Sequence, residues 1–168
     1  DSFTLQWLQS KGFPITLGRK VMACLGTDAS RKIEEDPYRL ISFAANWRVT
    51  DALARSTFGI VEDDPRRLAG AVEEALYAAF DEGHTCVEQS ELEMRLRKLL
   101  GRNQILVRSA LDQAELAERF IRTSRGMHAV GPWLMEHGVA AAIAARSVSP
   151  SCLVSPDKLD ALIVDYEV

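Results

Sequence analysis

Cysteine is scarce in this sequence, and the cysteines present form no recognised pattern. Three occur among 168 residues, and Cys24, Cys86 and Cys152 are far apart and in no C-x-x-C pair. A structural zinc site uses four ligands, and a disulfide framework uses cysteines that pair off in even number. The sequence therefore predicts neither a bound metal nor a fold held by disulfides.

Long apolar runs are also missing. The longest one near the C-terminus covers residues 139–145, whereas a membrane-spanning helix needs roughly 20 residues. The first residues lead at once into an amphipathic stretch, which is not the pattern of a signal peptide. We expect a soluble, cytoplasmic protein with no membrane partner. The missing initiator Met and the abrupt end at Val168 favour a piece of a longer protein.

The chain has no G-x-x-x-x-G-K-[ST] loop, whose backbone cradles nucleotide phosphates. Neither ATPase activity nor a bound cofactor is therefore expected of it. An excess of positive charge is absent too, because 20 Lys and Arg face 24 Asp and Glu for a net charge of −4. No general basic field draws the chain onto nucleic acid, so any such binding depends on local geometry.

Helix signals dominate what is present. Hydrophobic residues form 47% of the chain and mostly follow the helical period. Helix starts are predicted where Asp or Ser precedes Pro, at residues 36–37, 64–65 and 155–156. Ser90 and Glu93 have the spacing of a capping box at the start of another helix.

The order of the predicted elements indicates a mainly α fold. Residues 3–60 read as several short helices, with a break at Gly12-Phe13-Pro14 and a stop at Gly26. Helices are then predicted from residues 65, 92 and 104, followed by two short strands at 119–123 and 126–130. Helix, helix, helix, hairpin is the order of a winged helix. A further helix is predicted from Trp133 to Arg146.

Residues 12–21, G-F-P-I-T-L-G-R-K-V, resemble a helix-hairpin-helix, in which a Gly-apolar-Gly turn aims backbone N–H groups at a DNA phosphate. Residues 44–54 are a second candidate. Between them, residues 35–40, E-D-P-Y-R-L, look like the N-P-Y-R-L element that joins such hairpins at the front of RecD-like ATP-dependent DNA helicases.

The resemblance continues downstream. Residues 72–77, the Gly-His-Thr turn at 83–85 and Leu99-Leu100-Gly101 are similar to a helix, a turn and the next helix of that family, in the same order. The chain thus resembles the N-terminal helix-hairpin-helix region of a RecD-like helicase of the exodeoxyribonuclease V alpha-chain type.

This resemblance implies a fold, a division into domains and a function. It implies tandem helix-hairpin-helix-like units in residues 1–60, a winged-helix-like unit with one short β-hairpin in 61–132, and C-terminal helices in 133–168 leading to an ATPase motor absent from this chain. The implied function is a non-catalytic accessory domain of a bacterial 5′-to-3′ DNA helicase acting in repair and recombination. ATP and magnesium would serve the motor, and the partners are that motor and single-stranded or junction DNA.

The candidate DNA-binding residues lie in and just after the two hairpins, and no catalytic residue is identified. Backbone or apolar contacts are expected from the turns, phosphate contacts from the basic side chains and base stacking from the Trp. The candidates are Gly12, Phe13, Ile15, Thr16, Arg19, Lys20, Trp47 and Arg48. With Arg19, Lys20 and Arg48 as phosphate contacts, affinity for single-stranded DNA should fall with salt at a slope of roughly −2. Charge reversal at Arg66 and Arg67 should matter much less.

Two alternatives stay open. The first hairpin has Pro14, which lacks an N–H, at its second glycine position, and the second has Ala44, Ala45 and Asn46 where the family pattern has glycine. Such hairpins, together with the acidic balance, also fit a protein-protein or interdomain docking module that no longer binds DNA. A free-standing winged-helix regulator would need a basic recognition helix, whereas the helix after Ser90 is rich in Glu.

Overall fold

A computed structural model describes residues 2–148. Their order is α1 (Ser2–Ser10), α2 (Ile15–Leu25), a 3-10 helix (Gly26–Asp28), α3 (Ala29–Glu35), a second 3-10 helix (Pro37–Phe43), α4 (Trp47–Phe58), α5 (Pro65–Asp81), α6 (Gln89–Leu99), α7 (Gln104–Leu116), β1 (Phe120–Thr123), β2 (Gly126–Ala129) and α8 (Val130–Val148). The predicted mainly α class with one short antiparallel hairpin is confirmed. Within residues 2–148, no helix combines the length and apolar character needed to cross a membrane.

Residues 2–133 form one compact unit, and residues 134–148 belong to a second. The first unit has two hydrophobic clusters. One joins α1 to α4 through Leu8, Leu17 and other buried side chains, and the other packs α5, α6 and α7 against the hairpin. Tyr38 and Trp47 precede residue 60 yet lie in the second cluster, so hydrophobic packing crosses the predicted boundary at residue 60.

The Asp-Pro helix starts are confirmed where the structure describes them. The Asp36 carboxylate accepts from the Tyr38 N–H at 3.0 Å, and the Asp64 carboxylate accepts from the Arg66 N–H at 2.9 Å. These side chains satisfy N–H groups that a helix start leaves without a partner. Ser155 lies outside the described residues.

The predicted capping box at Ser90 and Glu93 is wrong. Helix α6 starts at Gln89 with Glu88 at the N-cap, and no side chain caps it. Ser90 is therefore inside the first turn, where its hydroxyl cannot serve as the cap, and Glu93 accepts a hydrogen bond from the Gln89 side chain at 3.0 Å.

The predicted order of three helices and a hairpin is observed in α5, α6, α7 and β1–β2. One feature of it has no sequence signal: Val87, between α5 and α6, pairs with Met127 of β2 through two backbone hydrogen bonds of 2.9 Å. Gly126 makes this approach possible, because a Cβ there would lie 2.6 Å from the Val87 carbonyl oxygen.

A buried polar network connects the second 3-10 helix, α5 and the start of β1. The Arg119 guanidinium donates to the carboxylates of Asp36 and Glu73, the second at 3.0 Å, and Glu73 also accepts from the Ser42 hydroxyl. Burial raises the pKa of Glu73, although the hydrogen bond from Ser42 and the charge of Arg119 act against that rise. Residues far apart in sequence are thereby held together around one arginine.

A second polar network fixes α4 against α5. The Asp51 carboxylate accepts from the Tyr38 hydroxyl at 2.6 Å and from Arg67 Nε at 2.8 Å. The Arg67 guanidinium also lies 5.9 Å from the Trp47 ring centroid. The side chain of Arg67 is only 6% exposed, so this arginine is a structural residue.

Candidate nucleic-acid interface

The first hairpin is the turn of residues 11–14 between α1 and α2. Gly12 has φ +90°, a left-handed conformation that favours glycine. The turn uses its own donors: the Gly12 N–H bonds to the Gln9 carbonyl at 3.0 Å and the Phe13 N–H to the Leu8 carbonyl at 3.1 Å. Pro14 has no N–H, so the turn itself offers little to a phosphate.

The N-terminus of α2 is uncapped, so its first backbone N–H groups are available to a ligand. The Pro14 carbonyl accepts from the N–H groups of Leu17 and Gly18, at 3.0 and 3.3 Å, and no side chain caps this helix. The first two helical donors belong to Ile15 and Thr16, which are both exposed. Donor groups of this hairpin that could meet an anion are therefore the backbone N–H groups of Ile15 and Thr16.

The second hairpin, before α4, also has a residue in the left-handed conformation, but a side chain caps the N-terminus of the helix that follows. Ala44 adopts the left-handed conformation with φ 65° and ψ 36°, as glycine would. Asn46 Oδ1 then accepts from the N–H groups of Arg48 and Val49, at 3.0 and 3.4 Å. The side-chain oxygen takes the donors that a phosphate oxygen would otherwise use.

We predict that Asn46→Ala lowers the free energy of unfolding by about 1 kcal/mol, because the two donors lose their acceptor. Asn103 is a matched control, since its Oδ1 caps α7 with the same two distances, 3.0 and 3.4 Å. Urea denaturation should give similar losses for Asn46→Ala and Asn103→Ala. If only the Asn103 variant lost stability, Asn46 would not be holding the donors of α4.

Lys11 and Arg48 line one surface cavity of about 360 Å³, although they come from different hairpins. The two segments are in close proximity: a Cβ at Gly12 would lie 3.9 Å from Val49 Cγ1. Within residues 2–148, no ion pair joins Lys11, Arg19 or Arg48 to an acidic side chain. Lys11 was not among the predicted DNA-binding residues. The one feature of the sequence that could have identified it is its position directly before Gly12.

Lys20 lies in a different electrostatic setting. It lines a cavity of about 510 Å³ with the second hairpin turn and with Glu74 and Asp81 of α5. The pKa of Glu74 is raised by burial first and then by the negative charges of Asp81 and Glu73. This cavity therefore has mixed charge, and Lys20 is its basic member.

The two candidate aromatic residues lie in the core. Phe13 is 4% exposed and Trp47 is 7% exposed. The Trp47 ring packs 5.5 Å from the ring of Tyr38. Neither side chain has a free face for a base, because apolar packing has already covered both rings.

Charge is unevenly divided along the chain. Residues 1–60 contain eight Lys and Arg and six Asp and Glu, so the acidic excess lies downstream of residue 60. Two of those six acids, Asp36 and Asp51, pair with Arg119 and Arg67 from the downstream part. The hairpin region is thus more basic at its surface than the net charge of −4 indicates.

Comparison with protein families places the first half of the chain in a known family. A family described as the ATP-dependent RecD2 DNA helicase HHH domain matches residues 2–86, which is about half of the chain. The match runs from α1 through both hairpins and α5 to the residue before Val87. A search of curated proteins gives no match.

Proposed function

The chain belongs to the helix-hairpin-helix (HHH) domain family of ATP-dependent RecD2 DNA helicases, and from this membership we propose that it holds a DNA strand by its phosphates beside a helicase motor. The chain itself contacts the DNA strand and positions it for the motor. ATP and magnesium serve the motor, in which hydrolysis drives unwinding.

The observation that carries this proposal is the open start of α2. Ile15 and Thr16 offer two uncapped backbone donors, while the equivalent end of α4 is closed by Asn46. The positive end of the helix dipole adds to those donors, and anions are favoured there. The first hairpin is therefore the phosphate-binding one.

Basic side chains around this helix end support the proposal. Thr16, Arg19 and Lys20 follow one another at helical spacing on α2, and all three are exposed. Lys11 and Arg48 line the shared cavity of about 360 Å³. We call this set, Lys11, Ile15, Thr16, Arg19, Lys20 and Arg48, the first-hairpin surface.

We predict that single-stranded DNA binds to the chain with a salt slope of roughly −3, because four cations each contribute about −0.7. Raising salt from about 50 to 200 mM should weaken binding about fifty-fold. Fluorescence anisotropy with a labelled strand of about 16 nucleotides measures both quantities. A slope near −2 would mean that Lys11 makes no contact, and no binding at about 50 mM salt would contradict the proposal.

A docking module is the second candidate function, and one observation favours it. Ile105 and Leu116 are 79% and 81% exposed, and their spacing of eleven residues puts them on the same face of α7. They lie about three turns apart, at the two ends of the helix, and each leaves a large apolar side chain available to a protein partner. If DNA does not bind, the motor domain is the partner to test, and Ile105→Glu should weaken its association with this chain.

A further inference from the structure

We propose that a single DNA strand held at the first-hairpin surface continues along α4, where Arg55 contacts a further phosphate and the cavity between Lys11 and Arg48 receives a sugar or base. This inference depends on the proposed function, because it extends the same strand beyond the hairpin. It adds Arg55 and the cavity beside Arg48 to the residues that the sequence predicted.

One face of α4 is suited to a phosphate backbone. Arg48, Ala52 and Arg55 are exposed, and the helical period places all three on one side of the helix. Arg48 and Arg55 are seven residues apart, a rise of about 10 Å along the axis. Two cations thus lie along one side of α4, and the first of them, Arg48, shares a cavity with Lys11 of the first hairpin.

The acidic residue of α4 does not oppose this path. Asp51 is held toward α5 by Arg67 and by the Tyr38 hydroxyl. The charged side chains left on the exposed part of α4 are those of Arg48 and Arg55. The fold therefore turns a helix of mixed charge into one with a basic outer face.

The cavity lined by Lys11 and α4 fits an apolar part of the ligand as well as a charge. Val49 and Leu53 contribute apolar side chains, Ala52 and Ser56 are small, and Lys11 and Arg48 are the cations at its edge, in a space of about 360 Å³. Cationic side chains follow a strand's phosphates, while apolar surface suits a sugar or base.

A single strand meets this description better than a duplex. In a duplex the bases are stacked inside the helix, so only phosphates and sugars reach a surface groove without unstacking. A single strand has bases free to enter the space above Ala52. Single-stranded DNA is therefore the form of the ligand to which we commit.

The test uses Arg55→Gln in the full 168-residue chain with a labelled single strand of about 16 nucleotides. If Arg55 adds a fifth contact to the four of the first-hairpin surface, the parent chain should have a slope of about −3.5. Losing this contact should weaken binding about eight-fold at about 50 mM salt and return the slope to roughly −3. Arg102→Gln is the matched control, because Arg102 is also exposed but lies between α6 and α7. It should leave both quantities unchanged.

A second variant, Ala52→Leu, fills the cavity without changing charge. It should weaken binding of the single strand several-fold while the salt slope stays that of the parent chain. A duplex of the same sequence should lose little affinity with Ala52→Leu. Equal losses for both forms, or none for the single strand, would overturn the part of the inference that concerns the cavity.

The outcomes separate this inference from the proposed function. If Arg19→Glu with Lys20→Glu abolishes binding while Arg55→Gln binds like the parent, the strand does not follow α4 and only the first-hairpin surface holds it. If neither variant changes the binding of the parent chain, both ideas are wrong. If Arg55→Gln lowers the melting temperature yet leaves the affinity unchanged, Arg55 only stabilises the last turn of α4 and the inference fails.

Discussion

Changing Arg19 and Lys20 together to Glu is expected to abolish binding of single-stranded DNA at about 50 mM salt and above. Loss of two phosphate contacts weakens binding about sixty-fold at about 50 mM salt, and the two added carboxylates repel the strand further. Titration by fluorescence anisotropy should therefore show no saturation over the range in which the parent chain saturates.

The double variant should keep its fold. Both side chains are exposed and lie off the apolar stripe of Leu17, Val21 and Leu25, of which Leu17 and Val21 are buried. Circular dichroism should give the helical spectrum of the parent chain and a similar melting temperature. A loss of binding is then a loss of contacts.

The control for this variant had to be chosen from the structure. Sequence alone suggested charge reversal at Arg66 and Arg67, but this change is unsuitable as a control because Arg67 is buried and paired with Asp51. Glu at this position would place two carboxylates together in the core and unfold the chain. Lys98→Glu with Arg102→Glu is the better control, because both residues are exposed and lie away from the hairpins.

Equal loss of binding in both double variants would contradict the proposed surface, because it would show a response to total charge rather than to position. Unchanged binding in the Arg19 and Lys20 variant would contradict it as well. Binding that is lost only in the Lys98 and Arg102 variant would place the DNA on α6 and the loop that follows it.

Removal of Arg119 is expected to have the largest effect on stability. Its partners Asp36 and Glu73 have side chains only 11% and 8% exposed. Arg119→Met leaves Glu73 without a cation, and it leaves Asp36 with only the distant pair to Arg39 at 4.0 Å. Breaking a buried pair from one side costs about 3–5 kcal/mol. Urea denaturation at neutral pH should show a loss of this size.

The loss should shrink as the pH is lowered. The pKa of Glu73 is already raised above its ordinary 4.5 by burial, and removal of the nearby positive charge raises it further. For an acid with a raised pKa, the ionised form destabilises the fold, fully so above the folded pKa and not at all below the unfolded value. The stability of the variant should therefore approach that of the parent as the pH falls from 7 toward 4.5.

Arg122→Met is the matched control for this experiment. Arg122 lies three residues later and pairs with Glu115 at 3.3 Å, but its side chain is 45% exposed. An exposed pair of this kind contributes at most about 1 kcal/mol. A loss of the same size in both variants would show that the burial of Asp36 and Glu73 has no part in the effect.

Local signals in the sequence predicted most of the fold. Asp36 and Asp64 each precede a proline, and both act as caps. Each carboxylate accepts a hydrogen bond from the backbone N–H two residues later, so the signal is local. The hairpin around Ser124-Arg125-Gly126 is also a local feature. The capping box predicted at Ser90 and Glu93 was wrong, because the separation of one Ser–Glu pair does not determine at which residue a helix begins.

The candidate site was predicted only in part. Gly12 to Lys20 were identified by a motif, and Arg19 and Lys20 are exposed as that role requires. Lys11 and Arg55 were not identified, because an isolated basic residue has no pattern until the fold shows what it faces. Trp47 was proposed as a stacking residue, but contacts with Tyr38 and Arg67 from other elements bury it.

The sequence by itself determined the helices, the two hairpins and the family, because caps, turns and apolar periodicity act over a few residues. Only the tertiary structure decided which hairpin is open, which arginines are buried and where the positive surface lies. Arg67 and Arg119 look like Arg48 and Arg55 in the sequence, yet the first two neutralise Asp51, Asp36 and Glu73 inside the fold. Such pairings join residues 16 to 83 positions apart, and chain packing alone determines which charges remain available to a ligand.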